Sequence, residues 1–156
     1  MKRIFAMIAM SLIVALLPLQ ASAFETSAND FLLGTWSHKK VQQVADGKLV
    51  RTAQAVDGST VEFKRDGTWT LSSTRNHSSG TYRWLASGSL ETTTVGSDIS
   101  NQIGWVSVKQ VQVDSKSLRL TTVYDERGMI AFKPKTDGSG LKEMIVTSTF
   151  ERVVPK

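Results

Sequence analysis

Thr60-Val61-Glu62-Phe63-Lys64-Arg65-Asp66-Gly67-Thr68-Trp69-Thr70-Leu71-Ser72-Ser73 is the stretch whose reading decides the fold. Two runs rich in β-branched and aromatic residues flank Asp66-Gly67, the pattern of a β-hairpin. A two-residue loop would pair Arg65 with Thr68 and set Phe63 opposite Thr70, which mismatches the faces. A three-residue loop, Arg65-Asp66-Gly67, pairs Lys64 with Thr68, so that Phe63 faces Trp69 and Val61 faces Leu71. A one-residue slip turns every side chain to the other face, so the apolar match selects the longer loop. Gly67 then takes the left-handed third position, where glycine costs least.

The same rule carries along the chain. With Ala86-Ser87-Gly88 as the loop, Trp84 faces Leu90 and Tyr82 faces Thr92. With Glu126-Arg127-Gly128 as the loop, Tyr124 faces Ile130 and Thr122 faces Phe132. A four-residue loop, Asp114-Ser115-Lys116-Ser117, pairs Val113 with Leu118 and Val111 with Leu120. One apolar face then runs through Val111, Val113, Leu118, Leu120, Tyr124, Ile130 and Phe132. Gln110, Gln112, Arg119, Thr121 and Lys133 lie opposite, giving a sheet with one dry and one wet face. Ahead of Val106–Val113 stands Ile103-Gly104-Trp105, and the apolar phase shifts between Trp105 and Val111; this predicts a bulge near Val106–Lys109. The last run, Leu141 to Val153, sets Met144, Val146, Ser148, Phe150 and Arg152 against Ile145, Thr147, Thr149 and Glu151. It is long and is the natural strand to close on the first.

Turn signals at Asp46-Gly47, Asp57-Gly58, Asp66-Gly67, Ser87-Gly88, Arg127-Gly128 and Asp137-Gly138 are often spaced about ten residues apart, the mark of an antiparallel meander. About eight to ten strands are expected. An open sheet of that length would expose its edges, so closure into an all-β, antiparallel up-and-down β-barrel follows. A two-sheet sandwich is the alternative, and the succession of short hairpin loops speaks against a Greek key. Ser27, Asn29 and Asp30 are N-cap candidates for a short helical turn into Phe31-Leu32-Leu33.

Residues 1–23 read as a signal peptide. Lys2 and Arg3 precede an uncharged apolar run from Ile4 to Leu17, Pro18 breaks it, and Ala21-Ser22-Ala23 is a small-x-small cleavage site. The run is shorter than the roughly 20 residues that span a bilayer. The expectation is removal of the leader, a bacterial export route to the periplasm or medium, and one soluble domain over residues 24–156. That length buries a core without staples. The chain has no cysteine, which excludes disulfides, cysteine catalysis, Cys-built zinc sites and a lipidated cysteine. His38 and His77 are too few for a His-rich metal site. The formal charge of +5 falls to +3 once Lys2 and Arg3 leave. The remaining basic residues are scattered, so nucleic-acid binding finds no support.

Leu33-Gly34-Thr35-Trp36 resembles the opening of lipocalin-like, or calycin, barrels. Phe63-x-x-Asp66-Gly67-Thr68, followed by Gly80-Thr81-Tyr82-x-Trp84, resembles the middle strands of small bacterial lipocalin-like domains, and Phe150-Glu151-Arg152 their closing strand. The likeness covers nearly all of residues 30–153. It implies structural roles for Gly34, Trp36 and Arg152: Trp36 at the closed end of the barrel beneath Arg152, a cation–π contact worth about 0.5–2 kcal/mol. Avidin-type barrels also open with Gly-Thr-Trp, with an Asn two residues after the Trp that grips biotin. Here that position is His38, followed by Lys39-Lys40, which speaks against biotin.

Phe63, Trp69, Tyr82, Trp84, Leu90, Tyr124 and Phe132 lie on the faces assigned inward, and the aromatics among them, together with Trp105, are the candidate ligand-binding residues. An eight-stranded barrel holds either packed side chains or one small ligand. These aromatics are therefore either the walls of a pocket for a lipid-like or aromatic molecule, with tyrosine hydroxyls orienting it, or core filling. Trp105 follows the Gly96–Gly104 loop, at the barrel mouth or at a strand start in the core. His77 lies in a polar loop without a nucleophile-elbow context and reads as exposed. His38 reads as a surface or rim residue. Glu62, Glu91, Glu143 and Glu151 form no evident acid–base dyad. The expectation is an exported, non-catalytic barrel that binds a small hydrophobic ligand, with no cofactor and no metal. The alternative is a periplasmic interaction or inhibitor module with a packed core, meeting a protein partner through a loop or residues 24–31. An enzyme on the same barrel would need polar groups clustered inside. A cavity separates the first two readings.

Overall fold

Short β-rich runs joined by tight turns produce a meander, and its last member returns to its first. In a computed structural model, the described residues are 29–55, 58–85, 88–125 and 142–154. They form β1 (Gly34–Ala45), β2 (Lys48–Gln54), β3 (Thr60–Phe63), β4 (Thr68–Ser72), β5 (His77–Leu85), β6 (Ser89–Ser97), β7 (Val106–Val113), β8 (Ser117–Asp125) and β9 (Glu143–Arg152). Residues 29–32 make a helical turn ahead of β1, and Ser100–Gln102 a 3-10 turn between β6 and β7.

Each strand from β3 to β9 pairs antiparallel with the next, and β9 pairs back onto β1. The ring β1-β3-β4-β5-β6-β7-β8-β9 is therefore a closed eight-stranded up-and-down barrel, and closure removes its edges. β1 is long enough to serve two partners on one side. Gly34–Ser37 pairs with β3, whereas Lys40–Ala45 pairs with β2, which lies outside the ring. β9 runs along its other side.

The hairpin registers follow the apolar match. Phe63 faces Trp69 and Val61 faces Leu71, Lys64 N donates to Thr68 O at 2.9 Å, and Gly67 has φ +79°. The Asp66 carboxylate accepts from the backbone N and hydroxyl of Thr68 at 2.9 and 2.6 Å. These bonds hold its carboxyl below the usual range. Trp84 faces Leu90 and Tyr82 faces Thr92. Val113 faces Leu118 and Val111 faces Leu120. Asp46 (φ 45°) and Gly47 (φ 77°) close the β1–β2 hairpin as a type I′ turn, whose twist matches that of the strands.

Two expectations need correction. Thr122 faces Lys109 on one side and Val146 on the other, and Tyr124 pairs with Met144. Both ladder positions of Thr122 are filled, so a Thr122–Phe132 pair has no place. Ile130, Phe132, Lys133 and the Glu126-Arg127-Gly128 turn lie outside the described residues. β7 carries no bulge either. Its burial alternates without a break, turning Ser107, Lys109, Val111 and Val113 inward while Val106 and Val108 stay 55% and 46% exposed. Unbroken pairing to β6 and β8 fixes this phase and overrides the polarity of the individual side chains. The register does shift elsewhere: in β1 at His38/Lys40 and at Gln43/Val44, and at Ser79/Gly80 against β6.

Leu32, Trp36, Val61, Phe63, Leu90, Leu118, Leu120 and Phe150 form the buried core, with Trp69, Tyr82, Trp84, Val111 and Val113 packed against it. At one end the helical turn plugs the barrel. Leu32 and Trp36 are 0% exposed. Trp36 Nε1 donates to Leu32 O, and Trp84 Nε1 to Asn29 Oδ1, both at 2.8 Å. The Arg152 guanidinium lies 4.1 Å from the Trp36 ring centroid, the contact that the resemblance implies. It also donates to the carbonyls of Leu33 (2.8 Å), Ser115 (3.0 Å) and Phe31. Gly34 stands beside it at φ +112°, and a Cβ there would meet Arg152 Nη1 at 3.0 Å.

Candidate functional site

Inward positions change character along the barrel. Near the plug they are large and apolar. Toward the other end they become Ser78, Thr92, Thr94, Ser107, Thr122 and Ser148. Short hydroxyl side chains cannot reach the barrel axis, so this half stays hollow. The result is a cavity of about 310 Å³, at the lower end of the range for small-molecule sites. Phe63, Phe150, Val61 and Leu120 form its apolar base, and Trp69, Leu71 and Val146 its flank.

Lys109 enters from β7, between Leu90 of β6 and Thr122 of β8. Its Nζ donates to Ser107 Oγ at 2.7 Å, and burial pushes its amine down from 10.5 to about 8. Trp105 and Tyr124 stack with centroids 6.4 Å apart. Burial pushes the Tyr124 phenol up, and hydrogen bonds with Thr122 and Ser107 offset part of that shift. A polar chain crosses the cavity wall at the 3-10 turn. Asn76 Nδ2 donates to Ser78 Oγ at 3.1 Å, Ser78 and Ser97 hydroxyls meet at 3.0 Å, and Ser97 Oγ donates to Gln102 Oε1 at 3.1 Å.

Of the aromatics assigned to ligand binding, Phe63, Trp69, Trp105 and Tyr124 line the cavity. Tyr82 and Trp84 do not. Tyr82 packs edge-on against Phe63 and its hydroxyl donates to Lys64 O at 2.6 Å, while Trp84 fastens the plug. Phe132 lies outside the described residues. Sequence reading missed Lys109 and the hydroxyl wall. The available signal was parity, since Lys109 is two residues from Val111 on the inward face.

His38, read as a surface or rim residue, is half-buried with its ring turned inward. It faces Phe150 across the β1–β9 ladder and its ring stacks there at 4.7 Å. Its Nε2 is buried without a hydrogen-bond partner. Burial pushes the imidazole below its usual value, against a hydrogen bond to the Lys40 backbone. Ordinary alternation from Trp36 turns His38 inward and Lys39 outward, where Lys39 forms an ion pair with Glu151 at 3.3 Å; the register shift that follows sets Val41 and Gln43 opposite Ser148 and Val146. His77 is exposed, with Nδ1 2.9 Å from Asp98 Oδ2, and this contact holds the Asp98 carboxyl low. Glu91 pairs with Arg83 at 2.7 Å. Among the described residues, no group of three His, Cys, Asp or Glu could hold a metal.

No protein-family model matches the chain, and the curated proteins contain no match. Solved structures similar to this chain include the following two. One is an uncharacterized protein from Bacteroides eggerthii, 16% identical, with 78% of this chain and 99% of that chain covered and a TM-score of 0.45. The other is EF1p2_mFAP2b bound to DFHBI, 15% identical, with 82% and 98% covered and a TM-score of 0.45. The fold is established by the ladder itself: a closed, eight-stranded, antiparallel barrel with one extra strand on β1.

Proposed function

We propose that this chain is an exported, non-catalytic binding protein that holds one small, largely apolar molecule inside its barrel. The hollow half of the barrel carries this reading, because an interaction module with a packed core needs no such space. Four of the assigned aromatics line that space beside a hydroxyl wall, the mixed lining typical of small-molecule sites. The leader pattern of residues 1–23 supports export.

The test is titration of the delipidated protein with decanoate, decanol, naphthoate and naphthalene-methanol, followed by tryptophan emission. Trp69 and Trp105 stand in the cavity and report occupancy. Saturable changes are expected, and Ser148→Phe, which fills the cavity, should abolish them while the barrel stays folded. Flat titrations with every probe, or unchanged binding in Ser148→Phe, would overturn the reading. Export is tested by fractionating expressing bacteria: a chain starting at Phe24 outside the cytoplasm is expected, and an uncleaved cytoplasmic chain refutes it.

A further inference from the structure

Lys109 is out of character for a greasy pocket. The inward positions that follow it on β7 are Val111 and Val113, and its ladder neighbours Leu90 and Thr122 are uncharged. No Asp or Glu is among the described residues that line the cavity. The Lys and Arg ion pairs among the described residues are Lys39–Glu151, Lys64–Glu62 and Arg83–Glu91. An ammonium has three donors, and Ser107 Oγ accepts one of them. A desolvated cation without a counter-ion is costly, and a methionine would fill the same volume without that penalty.

We infer that the barrel's ligand is an amphiphile bearing a single carboxylate, an aliphatic or aromatic acid, whose anion pairs with Lys109 Nζ while its apolar body lies on Phe63 and Phe150. This rests on the proposal that the cavity binds a small molecule at all. The surroundings select the charge. One lysine balances one negative charge, and the nearby groups, Ser107, Thr122 and Tyr124, are neutral hydroxyls that hydrogen-bond a carboxylate without adding charge. A phosphate dianion would leave excess negative charge in the same space. The lowered amine is the state of the site before the acid arrives, and a bound carboxylate would raise it again.

The experiment is calorimetric titration near neutral pH of the full chain and of Lys109→Met and Lys109→Arg. The probes are matched acid and alcohol pairs: decanoate with decanol, and naphthoate with naphthalene-methanol. The wild type should prefer the acid of at least one pair by about tenfold or more. Lys109→Arg, which keeps the charge, should retain that preference. Lys109→Met should lose it while holding the alcohol within about threefold of the wild-type affinity. Equal binding of acid and alcohol by the wild type, or a preference that survives in Lys109→Met, overturns the inference and leaves small-molecule binding standing. Loss of the preference in both variants also overturns it, because Lys109 would then matter for packing and not for charge. Failure to bind any of the four probes overturns both readings.

Discussion

Arg152 and Trp36 face each other directly across the β1–β9 closure, the guanidinium over the indole at 4.1 Å. The same guanidinium donates to carbonyls of Phe31, Leu33 and Ser115. One side chain thus ties the N-terminal turn, the start of β1 and the β7–β8 loop. Trp36→Ala should cost roughly 3–5 kcal/mol in urea denaturation, the penalty for emptying a packed aromatic site. Arg152→Lys keeps the charge and loses the planar fork, with an expected cost of about 1–3 kcal/mol. The double mutant should cost less than the two singles together. Ligand affinity should not move, since both residues lie at the plugged end. Additive costs would mean that the stacking contributes nothing of its own.

Gly80 faces Trp69 across β4 and β5. A Cβ at Gly80 would lie 1.8 Å from Thr93 O and 2.9 Å from Trp69 Nε1. The first neighbour is backbone and cannot swing aside, so β5 and β6 would have to part beside the cavity. Gly80→Ala should lose about 1–3 kcal/mol and shift the Trp69 emission. A variant that melts with the wild type would refute the close approach.

His38 sets a pH dependence of known sign. Its folded pKa lies below the usual 6.5, so the unfolded chain takes up the proton first as pH falls. Stability present above pH 6.5 should therefore decline from there down to the folded value, since the unfolded state binds more protons across that window. His38→Phe should flatten this slope in denaturation midpoints measured across mildly acidic pH. Asp66, Asp98 and Asp114, all held low, act in a separate window below about pH 4. An unchanged slope in His38→Phe would assign the effect elsewhere.

Lys109 acts in alkaline solution. Its folded pKa of about 8 lies below the free value of 10.5, so between these values the unfolded chain holds the extra proton and stability rises with pH. Tyr82 and Tyr124, pushed above 10 by burial, oppose this from pH 10 upward, because their unfolded phenols ionise first. The ligand-free wild type should therefore gain stability from about pH 8 to pH 10, by an amount on the order of 1–3 kcal/mol. Lys109→Met should be more stable at neutral pH and show no such rise. Parallel profiles for the two proteins would show that the ammonium is well solvated in the fold.

The hairpins were legible because parity and turn chemistry agree in them. Phe63 and Trp69, or Val113 and Leu118, match on one face while a glycine or aspartate supplies the turn. Lys109 and His38 share parity with Val111 and Trp36, but their own polarity suggests the opposite direction, and only the ladder partners decide between the two. Val106 and Val108 misled in the reverse sense. The cavity was hidden for a third reason: Ser107, Thr122 and Ser148 read individually as ordinary sheet residues. Only the closure of the ring brings their short side chains around one space.

That closure also fixes when the space exists. Thr149 Oγ1 reaches Lys40 O across a sequence separation of 109 residues, a closure that carries a large loop entropy cost. Until β9 docks, β1 and β8 are bare edges, and Val146, Ser148 and Phe150 are missing from the wall. The chamber is complete only with β9 in place. A ligand held there is enclosed by residues of both β9 and its ring neighbours, so parting β9 from β1 and β8 opens the chamber.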